Sequence, residues 1–242
     1  MRLDKVLAER YPNLSRSKIQ QLIVGGGVTI DGTVVTRAGC DVPGHAHIEL
    51  DRSILRYVSR AGLKLEHALK TFTVSVSGAI CLDAGLSTGG FTDCLLHHGA
   101  VKVYGVDVGT AQVAPVIAHD LRVTVMEKTD IRTLDMLPES IDVITLDLSF
   151  ISLTLVAKAV AGMLVPGGRA ITLIKPQFEV GLEAARAARG VIHDPALQQQ
   201  AVDTVVRAFN VAGFVHHGTT PSPILGGSGN KEFLAYFTKG SS

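Results

Sequence analysis

The sequence predicts an α/β protein: a mostly parallel, seven-stranded sheet whose last strand is antiparallel, with a small α+β module in front. Three observations predict it. From Ala79 onward, short apolar runs alternate with stretches of helical periodicity, the signature of strand–helix–strand units with right-handed crossovers. The last connection is broken by Pro221, Pro223 and four nearby glycines, which suits an antiparallel return. Residues 1–50 follow a different pattern, with two short helices and a hairpin.

In that front module, Leu3, Val6, Leu7 and Arg10 form a helical stripe that ends before Pro12. Ser15 offers an N-cap, and Ile19, Leu22 and Ile23 repeat at helical spacing until Gly25-Gly26-Gly27. Val28-Thr29-Ile30-Asp31-Gly32-Thr33-Val34-Val35 is a hairpin signal, because both residues of the Asp-Gly turn must accept positive φ. Ile48 and Leu50 add a strand. The expected division is a module over 1–50, a linker over 51–59 and a larger domain over 60–242.

In the larger domain the expected strands are Ala79–Asp83, Val101–Val106, Val123–Met126, Ile141–Leu146 and Arg169–Ile174, with helices between them. Asp194-Pro195 caps a long helix ending at Gly213, followed by strands near Phe214–Thr219 and Glu232–Thr238.

Composition narrows the function classes. The chain has 242 residues and a net charge of +1, so overall charge makes no case for nucleic acid. The distribution is more telling: residues 1–60 hold nine basic side chains against six acidic ones, a mild pointer to a phosphate-bearing partner. Cys40, Cys81 and Cys94 lack metal-ligand spacing, and no metal is expected; Cys81 and Cys94 read as core residues in a reducing compartment. The start of the chain lacks a signal-like apolar run, and no stretch reaches the roughly 18 apolar residues of a membrane span. A soluble, cytoplasmic protein without a membrane partner is expected.

The first strand of the larger domain runs into Asp83-Ala84-Gly85-Leu86-Ser87-Thr88-Gly89-Gly90. A dinucleotide fingerprint would need glycine at Ser87, where a pyrophosphate must approach the backbone. Gly85-Leu86-Ser87-Thr88-Gly89 also fits a nucleophile elbow, but it follows the domain's first strand, so no upstream loop supplies a second oxyanion donor. That makes a serine hydrolase using Ser87 a distant alternative. S-adenosylmethionine carries no pyrophosphate, so a serine is tolerable for a methyl donor. This reading also accounts for acids after three successive strands. Asp83 is placed for the donor's amino acid moiety, Asp107 for both ribose hydroxyls and Asp130 for the adenine amino group. A cap or turn role is the alternative for each acid alone.

Two further strands end in Asp147-Leu148-Ser149-Phe150 and Lys175-Pro176-Gln177-Phe178, at the carboxyl edge where open α/β sheets bind ligands. An antiparallel last strand brings Glu232 to the same edge, and Lys64 precedes the first strand on a helix.

These motifs resemble the TlyA (haemolysin A) family of ribosomal RNA 2′-O-methyltransferases, whose catalytic domain is FtsJ-like. The resemblance is carried by Tyr57 to Leu65, Asp83 to Asp93, Gly105-Val106-Asp107-Val108-Gly109, Asp147 to Leu153 and Lys175 to Gly181. Ala61, Ala84 and Leu86 depart from the family's usual residues. The resemblance implies a Rossmann-like class I methyltransferase fold with S-adenosylmethionine as cofactor. It implies a tetrad of Lys64, Asp147, Lys175 and Glu232. It assigns donor binding to Asp83, Gly85, Ser87, Thr88, Gly89, Gly90, Phe91, Asp107, Val108, Asp130 and Ile131. Arg2-Leu3-Asp4, Ser15-Arg16-Ser17 and Gly27 to Gly32 resemble the alpha-L RNA-binding fold, which places Arg2, Arg16 and Lys18 towards RNA. The implied partner is ribosomal RNA within ribosomal subunits, with cytidine as the nucleotide. An RNA-binding protein without catalysis and a membrane-lysing haemolysin are the competing classes.

The expected chemistry follows from the acceptor. A ribose hydroxyl is a poor nucleophile, so a base must take its proton while the methyl moves in line. Lys175 is expected to be that base, with neighbouring positive charge favouring its neutral form.

Overall fold

The computed structural model describes residues 1–134, 137–226 and 229–240, in two compact units, Met1–Leu63 and Lys64–Ser242.

The first unit contains α1 (Leu3–Arg10), α2 (Arg16–Val24), β1 (Val28–Ile30), β2 (Thr33–Val34) and β3 (Ile48–Leu50). Ser15 caps α2 by accepting the Lys18 N–H at 3.3 Å. Asp31 and Gly32 have φ of 49° and 77°, the paired positive values that a two-residue hairpin requires. The sheet order is β2-β1-β3, all antiparallel, over a core that includes Leu3, Leu7, Leu22, Ile23 and Val28.

The segment expected as a linker belongs to this unit. Arg52–Leu55 forms a 3-10 helix, and Ile54 is buried in the unit's core. The Gln21 amide donates to the carbonyls of Ile54 and Tyr57 at 3.2 and 3.0 Å. Burying Ile54 and Tyr57 outweighs the polar character of their neighbours, so the boundary falls after Leu63.

The second unit starts within α3 (Ala61–Thr71) and continues as β4 (Ile80–Ala84), α4 (Gly90–His97), β5 (Lys102–Val106), α5 (Pro115–Ala118), β6 (Val123–Met126) and β7 (Ile141–Leu146). Then come α6 (Ala157–Met163), β8 (Leu164–Ile174), α7 (Pro176–Glu179), α8 (Leu182–Ala187), α9 (Pro195–Val211), β9 (Phe214–Pro221) and β10 (Phe233–Lys239). The strand order is β6-β5-β4-β7-β8-β10-β9, parallel from β6 to β8, with β10 antiparallel to both neighbours. This is the expected sheet. From β4 the chain steps outward to β5 and β6, then returns to β7 on the other side of β4. That reversal opens a crevice at the strands' carboxyl ends.

Asp194 caps α9 through the Ala196 N–H at 2.8 Å. Beneath α9, the rings of Phe209 and Phe237 stack at 4.7 Å in a core that also holds Leu82, Ile144 and Ile174. Cys81 and Cys94 are both fully buried.

Candidate active site

A cavity of about 800 Å³ occupies the crevice, a size within the usual range for small-molecule sites. Loops after four adjacent strands line it: Gly85 and Ser87 after β4, Asp107 to Gly109 after β5, Thr129 to Arg132 after β6 and Asp147 to Ser152 after β7.

The glycine loop takes its shape from two positions. Gly85 has φ of 88°, and a Cβ there would lie 2.5 Å from the Asp147 carbonyl oxygen, so only glycine lets β4 and β7 deliver their loops this close. Ser87 also has positive φ, 47°, a conformation usually left to glycine or asparagine. Its N–H donates to Asp107 Oδ2 at 2.7 Å, which stabilises the turn. Its hydroxyl donates to Gln112 at 3.4 Å rather than to a histidine, so the hydrolase reading gains no support.

The three acids separate. Asp107 lines the cavity, and its other oxygen accepts the Gly109 N–H at 2.7 Å. A carboxylate has about four acceptor sites, so two backbone bonds leave room for ribose hydroxyls. Asp130 also lines the cavity, but Arg132 engages both of its oxygens, at 2.6 Å for the closest pair. That guanidinium holds the Asp130 carboxyl below the usual carboxylate range. Asp83 does not reach the cavity. It is fully buried beneath the loop, where the Thr92 and Thr145 hydroxyls donate to its two oxygens at 2.7 and 2.9 Å. Burial pushes its pKa up to about 6, against the lowering effect of those bonds.

The structure therefore brings Gly85, Ser87, Asp107, Val108, Asp130 and Ile131 onto one wall. Gly89, Gly90 and Phe91 are buried behind it at the start of α4, and Thr88 is exposed beside it. Gln112, Arg132, Ser149 and Ile151 also line the cavity, beyond the residues that the sequence assigns to the donor. Of these, Ser149 and Ile151 lie within the Asp147–Leu153 motif, and Arg132 stands two residues past an identified acid.

Two ion pairs, one buried and one partly buried, stand at the same sheet edge. Lys175 Nζ lies 2.7 Å from Asp147 Oδ1 and donates to Ser149 Oγ at 2.9 Å. Lys64 Nζ, from α3, meets Glu232 Oε2 at 2.6 Å, with both side chains over nine-tenths buried. The pairing of Phe233 with Ile174 places Glu232, one residue before β10, beside the strand end that carries Lys175. Buried ammonium groups need partners of this kind. Asp147 belongs to both the cavity wall and the first ion pair, and so joins the cavity to Lys175.

The FtsJ-like methyltransferase family matches residues 57–239. The chain belongs to that family. An S4 domain matches residues 1–48, within the first compact unit. This FtsJ-like chain is 41% identical to Hemolysin A of Brachyspira hyodysenteriae, over 98% of this chain and 99% of that protein. It is 39% identical to the 16S/23S rRNA (cytidine-2′-O)-methyltransferase TlyA of Mycobacterium tuberculosis, over 97% of this chain and 88% of that one. A solved structure of a candidate hemolysin from Streptococcus thermophilus superposes with a TM-score of 0.78 at 38% identity, covering all of this chain and 89% of the other. Among the described residues, no helix of this FtsJ-like protein is long and apolar enough to cross a membrane.

Proposed function

We propose that this protein methylates the ribose 2′-hydroxyl of cytidine in ribosomal RNA within ribosomal subunits, with S-adenosylmethionine as donor, in the cytoplasm. The observation that carries the reading is the meeting, at Asp147, of a nucleoside-sized cavity with the Lys175 ion pair.

The cavity residues fit the donor. The glycine turn at Gly85 admits close approach, Asp107 keeps free acceptor sites for ribose hydroxyls, and Val108 and Ile131 supply apolar wall. The donor supplies an electrophilic methyl group on a sulfonium. The remaining work falls to this chain. Lys175, at the cavity's edge, is the base for the acceptor hydroxyl, and Asp147 and Ser149 aim its amine. Lys64 and Glu232 complete the tetrad as a buried ion pair at the same sheet edge. Asp83 acts from beneath, bracing the loop through Thr92 and Thr145 rather than touching the donor. Holding hydroxyl and methyl in line accounts for much of the acceleration. Arg2, Arg16 and Lys18 of the first unit bind RNA phosphates; Arg2 is bonded to Asp4 at 2.8 Å, and Arg16 and Lys18 are exposed.

The deciding experiment is incubation with labelled S-adenosylmethionine and ribosomal particles, followed by mapping of 2′-O-methyl sites. Label at ribose 2′-oxygens of cytidines is the expected result. Label confined to bases, or none with a folded, donor-binding protein, overturns the reading.

A further inference from the structure

The loop after β7 and the segment after β8 meet at three points. At the first, Lys175 contacts Asp147 and Ser149. At the second, the rings of Phe178 and Phe150 lie 5.3 Å apart, with Phe150 in the left-handed region at φ 65°. The third is Glu179: its Oε2 accepts the Ser152 hydroxyl at 2.6 Å and its Oε1 accepts the Leu153 N–H at 2.9 Å. Ser152 also starts the 3-10 helix Leu153–Leu155, so Glu179 pins the point where the loop re-enters regular structure.

Lys175 is the N-cap of the single-turn α7 and Glu179 its last residue, and the side chains of both reach the loop after β7. Glu179 does not line the cavity and has no bond to Lys175, so any influence on the reaction passes through the loop. A partly buried carboxylate is costly to keep, and burial holds this one above the usual carboxylate range despite its two bonds. A residue needed only for solubility would not be placed there.

We propose that Glu179 is a positioning residue, which sets the geometry of Lys175, Asp147 and Ser149 by fastening the loop after β7 to the turn that carries Lys175. The inference rests on the methyltransferase reading above. With Glu179 removed, the loop keeps its attachment at β7 but loses its far anchor, and Ser149 and Asp147 drift from the amine. Displacements near 1 Å at a reacting centre can cost about 10²-fold in rate.

The test uses the full chain, with single-turnover methylation of ribosomal particles at saturating donor and RNA, and calorimetric titration of S-adenosylmethionine. Glu179→Ala is expected to lower the single-turnover rate by about 10–100-fold, while donor affinity changes much less. Glu179→Gln is expected to restore most of the rate, because its amide oxygen still accepts from Leu153 and its amide N–H can donate to Ser152. Where Glu179→Ala fails to fold, Ser152→Ala carries the test, since it removes one of the two bonds; an intermediate rate is expected. A wild-type rate in Glu179→Ala or Ser152→Ala overturns the proposal. So does a loss that glutamine fails to repair, because the charge and not the two bonds would then be at work. Absence of methylation by the wild-type protein would instead sink the functional reading itself.

Discussion

A glycine that belongs to no catalytic motif offers a sharp test of the Lys64–Glu232 pair. A Cβ at Gly226 would overlap Glu232 Oε1 and lie 2.8 Å from its carboxyl carbon. Ordinary carbon–carbon contact is about 3.5–4.0 Å, so Gly226→Ala must push the carboxylate by roughly 1 Å. The Lys64 Nζ–Oε2 distance is now 2.6 Å; such a shift takes it to about 3.6 Å, beyond hydrogen-bond range. The φ of Gly226 is not positive, so alanine brings no backbone strain and the effect is confined to the carboxylate. The expected result is a drop in single-turnover rate of about 10²-fold, with a stability loss of about 1–3 kcal/mol from the weakened buried partner. Donor affinity by calorimetry should hold, because neither Glu232 nor Gly226 lines the cavity. A folded Gly226→Ala protein with a rate within about twofold of wild type would refute the placement of Glu232 in the chemistry.

Four other outcomes are expected. Lys175→Ala should bind donor and RNA yet turn over about 10²–10⁴-fold more slowly, and Lys175→Arg should fail nearly as badly because a guanidinium does not give up its proton; efficient single-turnover chemistry with arginine would exclude the base role. Asp107→Ala should weaken S-adenosylmethionine binding by at least about tenfold, since it removes a cavity acceptor and releases the Ser87 and Gly109 N–H groups, and unchanged calorimetric affinity would contradict the assignment. Asp83 should leave a mark on stability against pH: with its pKa raised from 3.8 to about 6, the folded state binds the proton more tightly, so this contribution falls as pH rises through that window and is flat above it. The loss is on the order of 3 kcal/mol, and urea unfolding of wild type and Asp83→Asn should diverge between those pH values; a constant difference would count against it. Replacing Arg16 and Lys18 together with alanine should flatten the salt dependence of RNA binding, by about 0.7–0.9 in log–log slope for each phosphate no longer neutralised, and an unchanged slope would remove them from the interface.

Much of the architecture was legible because periodicity reports burial. All seven strands of the large sheet lie within a few residues of their expected places, and Glu232 sits at the edge expected for it because β10 runs antiparallel. The largest boundary difference is at β8, which starts at Leu164 rather than Arg169, since Pro166-Gly167-Gly168 reads as a turn in isolation. The acids were only half legible. Spacing places Asp83 at a strand end but does not reveal that Thr92 and Thr145 turn it inward. The role of Ile54 was hidden for a similar reason: one apolar residue in a polar stretch carries no period, and its burial becomes apparent only from the core it meets. Glu179 lies within the Lys175–Gly181 motif, yet its bonds to Ser152 and Leu153 span 27 and 26 positions, which no local pattern encodes.

The order of strands in the sheet has a consequence for how the protein is made. β10 lies between β8 and β9 yet follows both in the chain. During synthesis, two strand edges therefore wait unpaired while α9 and β9 are already available, a state prone to mispairing. The insertion that closes this gap also delivers Glu232 to Lys64. The Lys64–Glu232 ion pair and completion of the sheet thus arrive in one late, long-range step, and a nascent chain halted at the start of β10 would retain the cavity-lining loops while lacking that pair.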